Sequence, residues 1–184
     1  EGLVKIEEPV TVVRIRNINT EKSFKVHIPV KDGRSVVSGD YKIAGVPKAG
    51  AYIRLDFIDP SGSIAGELLP THHVQDEIHV DGQKYVVSLV DASNPMVFSL
   101  LSDFSLQRTE TIPQLNSNPN LLSLFEKVRA ECAYLFGLVK DPSKALDESP
   151  ALPRLCLIGP PIGYLALNGI QVQESELDIT CRML

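Results

Sequence analysis

Apolar residues at every second position dominate the first half of this chain, and no other feature limits its fold so tightly. A two-residue period places alternate side chains on opposite faces of an extended strand. Phe24, Val26, Ile28 and Val30 share one face, with Ser23, Lys25 and His27 on the other. Ala51, Ile53, Leu55 and Phe57 alternate with Tyr52, Arg54 and Asp56, and residues 11–16 read as a further strand. Turn formers separate these runs at Lys31-Asp32-Gly33-Arg34, Asp59-Pro60-Ser61-Gly62 and Asp81-Gly82-Gln83-Lys84. Residues 78–80 and 85–90 flank the last of these as a hairpin. Near the end, 155–158 form a strand that stops at Gly159-Pro160-Pro161, and Leu177, Ile179, Cys181 and Met183 alternate with Asp178, Thr180 and Arg182.

The pattern changes once, to a helical stripe. Leu121, Leu124, Phe125, Val128, Cys132, Leu135, Phe136 and Val139 recur at steps of three and four, which predicts a helix over about 120–139. Asn118 suits the N-cap, Pro119 the first helical position, and Gly137 weakens or ends the last turn. Glu126, Lys127 and Arg129 are placed on the wet side. One amphipathic helix among many short strands is an α+β pattern, mostly antiparallel.

Composition narrows the function classes. Eighteen Lys and Arg against 23 Asp and Glu give a formal net charge of −5, which removes the electrostatic footprint of a nucleic-acid binder. Pro and Gly interrupt every apolar stretch before it reaches the ~18 residues of a membrane span, and the start carries no basic, apolar leader. Three widely spaced cysteines, Cys132, Cys156 and Cys181, contain no C-x-x-C pair, so a zinc ribbon or thioredoxin motif is excluded and an intracellular, reducing compartment is expected. Cys132 and Cys156 lie on apolar faces and read as packed thiols, whereas Cys181 reads either way, its alternation with Asp178, Thr180 and Arg182 placing it on the apolar side. His72 and His73 are adjacent and His79 lies six residues further on, without thiolate or carboxylate partners at ligand spacing, so a solvated loop is expected rather than a metal site. The chain opens on Glu1 without an initiator Met and closes on a strand with no turn signal, which reads as a segment of something longer.

Few motifs carry chemistry. The paired glycines of 62–66 lack the strand–turn–helix context of a phosphate loop, and no G-x-S-x-G elbow is present. The loop Asp91-Ala92-Ser93-Asn94-Pro95 stands apart. It joins two apolar runs yet concentrates small and hydrogen-bonding groups. Two readings remain open: an Asx-Pro turn that stabilises the corner, or a ligand-facing strand end, where Asn94 offers a donor and an acceptor and Pro95 fixes the backbone.

Four segments in order carry a family resemblance. They are Asp40-Tyr41-Lys42-Ile43-Ala44-Gly45-Val46-Pro47, then Ile53-Arg54-Leu55-Asp56-Phe57-Ile58-Asp59-Pro60-Ser61-Gly62, then Leu68-Leu69-Pro70-Thr71, then Ser88 through Phe98 including Ser93-Asn94-Pro95. Each is weak alone. Their order and spacing, continued through the helix, Pro153, Gly159-Pro160-Pro161, Asp178-Ile179 and Arg182-Met183-Leu184, make the chain resemble the methylaconitate cis–trans isomerase family over essentially its whole length.

The resemblance implies a two-lobed diaminopimelate-epimerase-like fold in which strands wrap a central helix in each lobe and the active site lies between lobes. It implies that this chain is the middle of the protein, with residues 1–64 the later strands of the first lobe and 65–184 the outer strands and outer helix of the second. Both central helices fall outside, so apolar inner faces are expected without partners. The implied reaction shifts a proton and a double bond, or cis/trans geometry, in an aconitate-like tricarboxylate, without a cofactor. A non-enzymatic β-rich binding domain and an amino-acid epimerase or racemase of the same fold are the alternatives. No catalytic residue carries over, and the isolated segment is expected to be inactive. Ser93, Asn94 and Pro95 match the family's Gly-Asn-Pro strand end, with Ser for Gly. Pro70 and Thr71 match its Pro-Thr-Gly-Asn loop, with His72 and His73 in place of Gly and Asn. Thr71, Ser93, Asn94 and Pro95 are therefore the expected substrate-binding residues. The implied partners are a small tricarboxylate and the flanking segments or a second copy of the chain, with no nucleic acid and no membrane.

Overall fold

The structure is a computed structural model that describes residues 3–184. The chain divides into two compact units: one runs to Pro60 and takes in Leu165–Gln171, and the other comprises Ser61–Tyr164 and Val172–Leu184.

The first unit is an antiparallel sheet of β1 (Val10–Arg16), β2 (Ser23–Lys31), β3 (Arg34–Ser35) and β4 (Arg54–Ile58). Strand β2 pairs with all three others. Asp32 and Gly33 join β2 to β3, both at positive φ (52° and 69°), the backbone that a two-residue hairpin needs. The strand expected from Ala51 starts only at Arg54, because Ala51 N–H is taken by the Val37 carbonyl of the preceding loop. Register then sorts the side chains. Ile15 faces Phe24 and Phe24 faces Phe57, while Val13 faces Val26 and Val26 faces Leu55, so one face is apolar across three strands. The Phe24 and Phe57 rings stack at 5.7 Å. On the other face Arg54 clamps the Asp56 carboxylate through two 2.8 Å bonds, and His27 Nε2 lies 2.8 Å from it. The apolar face stays open, with Leu55 49% and Phe57 56% exposed.

The second unit begins with a hairpin of β5 (Asp76–Val80) and β6 (Gln83–Ala92), turned by Asp81 and Gly82, both at positive φ. A corner at Ser93 leads into β7 (Asn94–Leu100). The chain then crosses through α1 (Ile112–Asn116), α2 (Pro119–Leu135) and α3 (Ala145–Glu148) to β8 (Arg154–Gly159). Strand β8 lies parallel to β7, which is the reason a long connection is required. After the short strands β9 (Tyr164–Leu165) and β10 (Gln171–Val172), which pair with each other around the Leu165–Gln171 excursion assigned to the first unit, β11 (Thr180–Met183) closes a five-stranded sheet of order β11-β8-β7-β6-β5.

The helical stripe folds as expected but stops early. Asn118 Oδ1 accepts the Leu121 N–H at 3.1 Å, and Pro119 occupies the first turn, where its lack of a donor costs nothing. Gly137 at φ 73° ends the helix: its N–H bonds to the Tyr134 carbonyl and the Leu138 N–H to the Ala133 carbonyl. That pairing is a Schellman cap. Helix α2 therefore ends at Leu135, and Val139 packs separately with Ala133 and Ala145.

Phe125, Val128, Cys132 and Phe136 pack on Tyr85, Val87, Leu89, Val97, Leu155 and Leu157 to form the core. Each such side chain contributes about 1.5–3 kcal/mol on burial. Arg129, expected on the wet side, is buried instead. Its guanidinium forks onto Glu126 at 2.6 and 2.8 Å and donates to the carbonyls of Ser149 and Leu152, holding the approach to β8 against the helix. The opposite sheet face carries Val86, Val90, Met96, Phe98 and Ile158, all partly accessible. Cys181, which its alternation places on this side, is exposed there, as is Met183, because no described element covers that side of β11. No helix among the described residues is long and apolar enough to cross a membrane.

Candidate functional site

The end of β6 is where the second unit concentrates polar groups. Along β6 the inward positions are Tyr85, Val87, Leu89 and Asp91, so the alternation that buries three apolar side chains buries an aspartate as the fourth. Asp91 is fully buried. Its carboxylate accepts from Ser63 Oγ at 2.6 Å and from the N–H groups of Ile64 and Ala65 at 2.7 Å each. Its own carbonyl accepts the Gly62 N–H and its N–H donates to the Leu68 carbonyl, both at 2.8 Å. One residue thus holds both ends and the middle of the loop 61–69. Gly62 is obligatory in that loop: it sits at φ 62°, and a Cβ there would collide with the Gly66 backbone. Three donors on a buried carboxylate satisfy the rule that buried charge must be bonded. Asp91 lay inside the quoted motif, yet sequence reasoning did not single it out. Its inward place in the β6 alternation was the available signal.

The corner follows directly. Asp91 pairs with Pro95 and Ala92 with Asn94, leaving Ser93 alone at the tip with φ 70°. This is the left-handed conformation that favours glycine, so Ser93 adopts the backbone of a Gly at a cost of roughly 1–2 kcal/mol. Pro95 is fully buried opposite Asp91. Asn94 is exposed, and its side chain makes no hydrogen bond with the described residues. That observation favours a ligand-facing strand end over an Asx-turn, in which the amide would be bonded to nearby backbone.

Thr71 belongs to the loop before β5, which is tied to β6 by the Leu68–Asp91 bond at one point and by Ser88 Oγ donating to the Val74 carbonyl at 2.7 Å at another. Its hydroxyl donates to Asp76 Oδ2 at 2.6 Å, and His73 Nδ1 lies 3.2 Å from the other Asp76 oxygen. His72 stands at φ 62°, so the loop keeps a glycine-like backbone although the residue is histidine. Its ring pairs with Glu67 at 3.0 Å. Of the expected residues, Ser93, Asn94 and Pro95 form the corner at the end of β6, while Thr71 lies on a separate loop with its hydroxyl engaged by Asp76, which pairs with Val87 further back along β6.

Neither buried thiol is placed as a nucleophile. Burial pushes Cys132 up to about 12. It pushes Cys156 up to about 11, with the neighbouring Cys181 thiol adding to the effect. Both stay protonated near neutrality. No group of three or more His, Cys, Asp or Glu among the described residues is arranged to hold a metal ion. Cavities of about 390 and 360 Å³ lie in the first unit and one of about 460 Å³ in the second, none of these three lined by Thr71, Ser93, Asn94 or Pro95. The candidate site is an open corner.

Comparison with known proteins decides the family, for the PrpF protein family matches residues 1–184, the whole chain. The chain belongs to the PrpF protein family. It is 35% identical to the 3-methylitaconate isomerase of Eubacterium barkeri over all of its own length and 49% of that protein's. It is 28% identical to the 2-methyl-aconitate isomerase of Shewanella oneidensis over 95% of the chain and 45% of that enzyme. The crystal structure of methylitaconate-delta-isomerase superposes with a TM-score of 0.87 at 35% identity, over 98% of this chain and 47% of that one. This PrpF chain therefore spans about half the length of the relatives it matches. The α+β, mostly antiparallel architecture expected from the sequence is the architecture of that half.

Proposed function

We propose that the complete PrpF-family protein is an isomerase that relocates a proton, and with it a double bond or its geometry, in a small unsaturated polycarboxylate, without a cofactor. The match of the whole chain to isomerases of methylitaconate and methylaconitate supports the reaction class. The exposed, unbonded Asn94 amide at a rigid strand end carries the reading to this chain's own residues.

The chemistry sets what such a protein must supply. A base removes a proton from carbon next to a carboxylate or conjugated alkene, the negative charge spreads over the allyl–carboxylate system, and the proton returns at another carbon. Donors aimed at the carboxylate stabilise that delocalised anion. In this reading Asn94 Nδ2 donates to a substrate carboxylate, Ser93 and Pro95 fix its direction, and Asp91 fixes the corner. The loop of Thr71 borders the substrate. The acid and base lie outside residues 1–184, and the isolated segment is inactive. Residues 1–64 and 65–184 are the parts this chain contributes to the two lobes.

The test uses the full-length protein in heavy water with cis-aconitate, trans-aconitate and methylitaconate. Interconversion with deuterium entering the substrate carbon supports the isomerase. No exchange with any polycarboxylate would favour a binding domain, and exchange at the α-carbon of an amino acid would favour an epimerase instead.

A further inference from the structure

A cavity of about 460 Å³ in the second unit lies at the other end of the sheet from Asn94. Asn94 opens β7, whereas the cavity sits beside the segments that follow Leu100 and Gly159, at the far ends of the parallel strands β7 and β8. Arg108, Arg182 and Glu110 line it, together with Ile112, Ile162 and Met183. Two arginines and one glutamate thus line one cavity, and neither arginine forms an ion pair among the described residues.

The two arginines are placed differently. Arg182 donates to the carbonyls of Arg108 at 2.9 Å, Cys181 at 2.9 Å and Glu110 at 3.4 Å. Its head is held, and its charge meets carbonyl dipoles rather than a carboxylate. Arg108 leaves the chain at φ 63°, a left-handed position uncommon for a long side chain. Its stem lies over Gly159, where an added Cβ would stand 3.6 and 3.7 Å from Arg108 Cγ and Cδ. Its Nη1 donates to the Pro161 carbonyl at 3.0 Å. That leaves the Nε–Nη2 edge with no partner among the described residues, on a half-buried and immobilised guanidinium. This edge is the two-donor fork that matches a carboxylate. The walls of Ile112, Ile162 and Met183 are apolar and suit a carbon skeleton rather than a bare inorganic anion.

We propose that this cavity binds a small organic carboxylate, with the Arg108 fork taking the carboxylate, Arg182 reinforcing the positive field and the apolar wall taking the carbon chain. The site is separate from the Asn94 corner and does not depend on the isomerase reading.

The experiment labels arginine with nitrogen-15 in the full-length protein and follows the Nε–H signals of Arg108 and Arg182, assigned with Arg108→Gln and Arg182→Gln. Butyrate, acetate and inorganic phosphate are titrated at constant ionic strength. Butyrate should shift the Arg108 signal to saturation with a dissociation constant on the order of millimolar, and acetate should bind at least about threefold more weakly because it lacks the apolar contact. Glu110→Gln keeps an acceptor for the Gln107 N–H at 2.6 Å but removes the opposing charge, and should tighten butyrate about threefold. No saturable shift of the Arg108 signal with butyrate, or phosphate binding as tight as butyrate, overturns the proposal. If Arg108→Gln does not fold, the wild-type titration and Glu110→Gln decide between the two outcomes.

Discussion

Asn94 shows how a single side chain can be read by what it does not touch. An asparagine that stabilises a turn has its amide bonded to local backbone, and replacing it costs about 0.5–2 kcal/mol of stability, as for lost caps. The Asn94 amide has no such bond among the described residues. In the full-length protein Asn94→Ala should leave the unfolding free energy within about 0.5 kcal/mol of wild type. It should lower kcat/KM by about 5- to 150-fold, the equivalent of 1–3 kcal/mol. A lowered thermal midpoint with intact kinetics would return Asn94 to a turn role. Cys132 makes the opposite case, a group defined by burial. Its unfolded thiol ionises from the ordinary value of 9.0, while the folded thiol stays protonated up to about 12. The stability this burial contributes is therefore complete below pH 9 and is lost as pH rises from 9 towards 12. At pH 10.5 the loss should be about 2 kcal/mol relative to pH 7, from 1.36 kcal/mol per pH unit. Cys132→Val, which keeps the apolar volume without the titration, should flatten this loss when urea midpoints are compared at the two pH values.

At the scale of elements, Asp91 binds a loop to a strand as a covalent staple might. Asp91→Ala removes the acceptor of Ser63 Oγ and of the Ile64 and Ala65 N–H groups at a buried position, and should cost about 2–4 kcal/mol. Asp91→Asn keeps one acceptor oxygen and should cost roughly half as much. Urea unfolding of both variants measures the difference, and equal midpoints for the two would show that the loop does not need the carboxylate. Helix α2 illustrates how far element boundaries can be read. The apolar stripe and the Asn118-Pro119 start were visible as pattern and chemistry. The end was misplaced by four residues because Val139 continues the stripe in register, while the positive φ of Gly137 breaks the backbone first.

For the whole molecule, the open faces are the consequential feature. In the first unit the face of Val13, Ile15, Phe24, Val26, Leu55 and Phe57 is continuous across three strands and only partly covered. In the second, Met96, Phe98, Ile158, Cys181 and Met183 share the face opposite α2. Soluble monomers rarely leave contiguous apolar patches beyond a few hundred Å² open. Residues 1–184 prepared alone should therefore bind an apolar dye such as anilinonaphthalene sulfonate strongly and associate with rising concentration. The full-length protein should do neither. Dye fluorescence no higher for the segment than for the full-length chain would show that these faces are closed by rearrangement within the segment itself.

The amino-acid pattern by itself determined most of the longer strands, the lone long helix and the fold class, because two-residue and 3.6-residue periods are local and survive without knowledge of partners. It also determined the family, through the order and spacing of short motifs. Tertiary structure alone decided which polar groups are buried. Arg129 looked solvent-facing from its helix position, but the carbonyls of Ser149 and Leu152 come from a segment some twenty residues away. Asp91 looked like a turn residue until the loop 61–69 folded over it. Cys181 sat in an apolar alternation, yet an alternation states only which side a residue faces, and burial depends on whether another element arrives to cover that side.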